Sequence, residues 1–131
     1  MKIGELTIVK FSLDLSTQQH LDYPVDQVPI SPVIEHECLP PGTIVSMVTV
    51  ENVVADKLCA CYELHRGTEE STRFHDLIDL VRITTSQSLD AEKLSKLVAR
   101  EKENRPTAVL PTNLESPGPK WEKGYPKQAR S

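Results

Sequence analysis

Residues 51–64 read ENVVADKLCACYEL, and the fold of the chain turns on whether they form helix or strand. Val54, Leu58, Cys61 and His65 recur at helical spacing, whereas Leu58, Ala60, Tyr62 and Leu64 alternate as on a strand. The Val53-Val54 pair, the Cys-x-Cys-Tyr content and a turn at Ala55-Asp56-Lys57 make strand the preferred reading. Gly67 would equally serve as the C-terminal cap of a helix, so an α+β chain with a helix at about 51–65 is the alternative.

Working outward, Pro41-Gly42 reads as a turn, and TIVSMVTV (residues 43–50) as a strand rich in β-branched residues. Gly67 to Ser71 is a loop by composition, and FHDLIDLVRI after it again fits two templates. Phe74, Leu77, Ile78 and Val81 have helical spacing. Alternatively, a strand ending at Phe74, a 3₁₀ turn from His75 to Asp79 and a strand from Leu80 to Thr84 give a strand, turn, strand rhythm. Over roughly residues 43–84 that rhythm resembles an SH3-like barrel, with no signature motif to name a family more narrowly. The expected fold is therefore mainly β: a small SH3-like barrel or twisted antiparallel sheet, one C-terminal amphipathic helix and an extended proline-rich tail.

The helix is expected over residues 89–104. Asp90 suits its N-cap, Leu89 and Leu94 occupy the two positions of a hydrophobic staple, and Leu94, Leu97 and Val98 form an apolar stripe opposite solvated charge. Near the N-terminus, Val9, Phe11, Leu13 and Leu15 alternate with polar residues, which predicts a strand over residues 5–15. Residues 16–41 read as an extended, turn-rich crossing.

Proline frames this organisation. Five of the ten prolines lie at or before Pro41 and five at or after Pro106, leaving a proline-free stretch in which hydrogen-bonded structure can run uninterrupted. The expected division is one small β-rich domain over residues 1–103, with its core in 42–103, followed by a tail over 104–131. Only 38% of the chain is hydrophobic, so the core is small for the length.

Charge is divided unevenly. Arg105, Lys120, Lys123, Lys127 and Arg130 stand against Glu115 and Glu122, so the tail is basic while the chain as a whole carries −4. An acidic body repels phosphates, which leaves nucleic-acid binding to the tail if it occurs at all. The longest uncharged run, Leu39 to Val50, contains Pro40, Pro41 and Gly42 and falls short of the roughly 20 apolar residues of a membrane span. The N-terminus carries Glu5, Lys10 and Asp14 where a signal peptide needs apolar residues, and three cysteines make an odd, sparse set, so a cytoplasmic protein is expected.

Two constellations are candidates for chemistry. Glu35-His36-Glu37-Cys38 with Cys59, Cys61 and His65 contains metal-ligand types, but a Cys-x-Cys pair on a strand is a poor chelate and buried cysteines explain it more simply. Metal candidates are thus Cys59, Cys61, His36, Cys38 and His65, and no cofactor is expected. Cys61 with His65 or His75 would make a thiol nucleophile, and His75-Asp76 with Asp79 a general base and its carboxylate, although a polar turn over an apolar segment is more often a solvent face. No glycine-rich phosphate loop, Gly-x-Ser-x-Gly elbow or His-Glu-x-x-His pair occurs.

The tail run PKWEKGYPK carries the only tryptophan. Aromatic residues in a proline-rich segment serve as anchors for a partner. A non-enzymatic interaction or accessory protein is the resulting expectation, with Trp121, Tyr125, Lys120, Lys123 and Lys127 binding a protein partner or a second copy. The alternatives are nucleic-acid binding through the same tail, and a Cys/His metal or thiol site.

Overall fold

A computed structural model describes residues 2–3, 6–7, 10, 12–15, 23–32, 37–38 and 42–130. Its elements are the two-residue strands β1 (Lys2–Ile3) and β2 (Leu6–Thr7), the strands β3 (Val25–Ile30) and β4 (Thr43–Val48), and the helices α1 (Val50–Cys61), α2 (Phe74–Ser86), α3 (Ala91–Asn104) and α4 (Pro119–Gln128). The fold is α+β. Each pair of strands forms its own two-stranded antiparallel ribbon, so there is no barrel among the described residues.

The mainly-β expectation fails first at residues 51–64. Val54, Leu58 and Cys61 fall on one stripe of α1 and join the core with Leu80 and Trp121. Ala55, Cys59 and Ala60 have no exposed surface at all. A helix flanked by both α2 and α3 is apolar over more than one stripe, and this masks the 3.6-residue period and imitates strand alternation. The helical alternative, expected over about 51–65, is the one observed, but the helix ends at Cys61 with Tyr62 rather than Gly67 at its C-cap, and His65 lies beyond it.

The second departure is α2: of the two templates its sequence fits, the helical one forms, and the turn and strand that a barrel needs do not. Leu77 and Leu80 reach the core from one face of a single 13-residue helix, while Thr84, Thr85 and Ser86 return their hydroxyls to carbonyls one turn earlier. Helix α3 forms where its signals place it. Asp90 accepts a hydrogen bond from the Lys93 amide at 2.9 Å, capping the first turn, and Leu89 and Leu94 pack against the core.

Residues outside the proline-free stretch also depart from expectation. Strand β3 contains Pro29 opposite Ile44, which a two-stranded ribbon tolerates because every strand is an edge. The expected strand over 5–15 is reduced to Leu6–Thr7; Leu13 and Leu15 are exposed and outside any strand, and residues 5, 8, 9 and 11 lie outside the described residues. The tail is not extended throughout, since Pro119 opens α4 at its first turn.

Three features tie the tail to the helices. The Leu64 amide donates to the Thr107 carbonyl and the Val109 amide to that of Tyr62, a short antiparallel bridge beyond α1. Arg105 then reaches Asp56, Glu63 and Glu101, joining α1 to the end of α3. Farther along, Trp121 is 3% exposed and meets the Phe74 ring edge-on with centroids 4.9 Å apart.

Candidate functional site

The most concentrated chemistry lies between α1 and α2. Lys57, on α1, places its ammonium 2.8 Å from Asp76 Oδ1 and 2.8 Å from Asp79 Oδ2, both on α2. Asp76 and Asp79 are three residues apart and therefore share a helix face. Arg73, the N-cap residue of α2, donates from Nε to the second oxygen of Asp76. Its own amide donates to the hydroxyl of the buried Ser71, which fixes the approach of the chain to the helix.

Asp76 is only 6% exposed. Burial pushes its carboxyl pKa up, but Lys57 and Arg73 outweigh that and hold it below the ordinary 3.8. Burial likewise works against the Lys57 charge, and the hydrogen bonds its ammonium donates to Asp76 and Asp79 reverse the effect, raising it above 10.5. Asp76 and Lys57 are thus both charged at neutral pH. Asp76 uses both oxygens on protein cations, whereas half of the Arg73 side chain is exposed. Among the described residues its two terminal guanidinium nitrogens meet no carboxylate. A buried acid holds the stem of an arginine whose outer donors face solvent, an arrangement suited to recognising a planar or tetrahedral anion.

Sequence reasoning singled out Asp76 and Asp79 as a polar turn beside His75 but missed Lys57 and Arg73. The available signal was Arg73-x-x-Asp76-x-x-Asp79, a repeated three-residue step on a helix. It was hidden by reading the segment as a turn, and Lys57 by assigning it to another.

The metal constellation does not assemble. Cys59 and Cys61 are two positions apart on α1 and point to different faces; Cys38 is exposed on a turn and His65 exposed in an isolated bridge with Glu69, and His36 lies outside the described residues. Among the described residues no group of three or more potential ligands is gathered. Burial pushes the Cys59 thiol up to about 11 and that of Cys61 up to about 12, so neither is a ready nucleophile at neutral pH. Of the tail residues, Trp121 is buried in the chain's own core, Tyr125 is half-buried, and Lys120, Lys123 and Lys127 are exposed.

Residues 2–130 match the family model described as "Nucleotidyl transferase AbiEii toxin, Type IV TA system". The match spans nearly the whole chain, and the chain belongs to this family. No curated protein and no solved structure matches it. Membership points to an enzymatic toxin and overturns the expectation of a non-enzymatic accessory protein; a toxin–antitoxin family is consistent with a protein partner. Among the described residues no helix is long and apolar enough to cross a membrane.

Nucleotidyl transfer is commonly assisted by divalent cations held on carboxylates. Asp76 and Asp79 do not fit that role, because each already bonds a protein cation at hydrogen-bond distance and no third acidic or imidazole ligand gathers beside them among the described residues.

Proposed function

We propose that, in this member of the AbiEii nucleotidyl transferase toxin family, Arg73 and Lys57 bind the phosphates of the nucleotide whose transfer the family name describes. The observation that carries the reading is the Arg73 side chain, tied at Nε to the buried Asp76 and half-exposed beyond it. Lys57 has three donors and spends two on Asp76 and Asp79. Placing Arg73 at the N-terminus of α2 adds the partial positive charge of a 13-residue helix to the same spot.

In a transfer from a nucleoside triphosphate, the acceptor's nucleophilic atom bonds to the α-phosphorus as the bond to the bridging oxygen breaks, and the proton that atom carried passes to solvent. The electron pair leaves with pyrophosphate. Arg73 and Lys57 neutralise the charge gathering on the phosphate oxygens, and Asp76 keeps both cations oriented before substrate arrives. Asp79 shares the Lys57 ammonium and limits its swing.

Titrating the full chain with a fluorescent nucleoside triphosphate tests this reading. Arg73→Ala weakens binding at least about tenfold, as expected for losing a charge-assisted fork. Equal affinity of the wild type and Arg73→Ala would place the phosphates elsewhere.

A further inference from the structure

A cavity of about 700 Å³ lies on the other flank of the α1–α2 pair, closed by the start of α3 and residues 114–126. None of Lys57, Arg73, Asp76 and Asp79 lines it. Its walls are Leu58, Leu77, Leu80 and Leu94 with the aromatic rings of Trp121 and Tyr125, and its size falls within the roughly 300–1,000 Å³ of small-molecule sites. All four helices contribute to its walls.

Two further observations fix the chemistry of the occupant. Val81 and Leu114, both on the lining, are 48% and 68% exposed, apolar surface that an occupant would cover. The charged residues on the lining are Glu115 and Glu122, with no lysine, arginine or histidine among the lining residues. Both glutamates are exposed, and among the described residues neither carboxylate pairs with a cation. The Glu115 carbonyl is held by the Tyr62 hydroxyl, which keeps this residue at the mouth.

An acidic rim over an apolar, aromatic-walled space disfavours phosphates and carboxylates and attracts a cation that brings its own hydrocarbon. We propose that this cavity binds an apolar organic amine, with the hydrocarbon body against the leucines and Trp121 and the ammonium at Glu115 and Glu122. The site is separate from the phosphate-binding cluster and does not depend on it.

Trp121 is the only tryptophan, so its fluorescence reports occupancy without a label. The full chain is titrated with octylammonium, octanoate and octanol below their aggregation concentrations. Saturable binding is expected for octylammonium, at least about tenfold tighter than for octanoate and weakened by added salt. Glu115→Gln combined with Glu122→Gln, both exposed and outside the core, brings the two affinities within about twofold while leaving the circular dichroism unchanged. Equal binding of the three probes to the wild type would reduce the cavity to a generic apolar site and overturn the proposal. So would absence of saturation, or a self-associating chain that Val81→Glu renders monomeric, which would make a second copy the occupant.

Discussion

Lys57 Nζ lies 2.8 Å from Asp76 Oδ1, and this contact joins the middle of α1 to the first turn of α2. The lysine side chain is 22% exposed and the aspartate 9%. Removing Lys57 leaves the buried Asp76 with Arg73 alone to offset its charge, and one carboxylate oxygen without its cation. Lys57→Ala is expected to lower unfolding free energy by about 3 kcal/mol, measured by urea denaturation. Lys57→Met, which keeps the stem but not the charge, should be about as damaging if the pairing matters; near-wild-type stability for Lys57→Met would refute the charge argument.

The same pair sets a pH dependence whose sign follows from the two shifts. Asp76 is depressed, so its contribution is complete above its unfolded value near 3.8 and disappears as pH falls through the lower folded value. Lys57 is raised, so its contribution is complete below 10.5 and disappears as pH rises through the higher folded value. The stability difference between wild type and Asp76→Asn should be flat across neutral pH and shrink in strong acid. A difference that changes between pH 6 and 8 would point to another titrating group.

Arg73 offers the cleanest separation of function from stability. Its side chain is 51% exposed, so Arg73→Lys should cost less than about 1 kcal/mol. A lysine cannot hold Asp76 through one nitrogen while presenting two more in a plane, so triphosphate affinity should still fall several-fold, by about 1 kcal/mol or more. Full retention of affinity in Arg73→Lys would show that charge alone suffices.

The cysteines of α1 should be inert in the folded chain. With thiol values near 11 for Cys59 and near 12 for Cys61, iodoacetamide at pH 7.5 should leave the peptide carrying both unmodified, as read by mass spectrometry, until urea unfolds the protein. Rapid native labelling of either would contradict their burial.

Gly124 lets α4 approach α2, because a Cβ there would overlap the Phe74 ring. Gly124→Ala should destabilise by about 1–3 kcal/mol through overpacking, despite the better helix propensity of alanine. Phe74→Leu in the same chain should recover part of that loss, and additive losses in the double variant would place the strain elsewhere.

Legibility varied with how much of each element is decided locally. Asp90 and its flanking leucines mark α3 because a cap and a staple are made within one turn. For α2, Phe74, Leu77, Ile78 and Val81 carried the right period, but a competing turn reading absorbed His75 to Asp79. At the site, Asp76 and Asp79 stood out as acids, whereas pairing them with Lys57 requires knowing that two helices separated by the loop at 67–71 run side by side. Trp121 stood out as an anchor by composition; that it anchors the tail to its own body depends on Phe74 being there to receive it.

The sequence by itself determined where regular structure runs without proline, the capped helix after Asp90, the strand from Thr43, and the uneven division of charge. Those features rest on backbone chemistry and spacing within a few residues. Only the tertiary structure decided that ENVVADKLCACYEL is a helix. Its small residues Ala55, Cys59 and Ala60 are fully buried between neighbouring helices, and burial on more than one side erases the single apolar stripe from which a helix is ordinarily read.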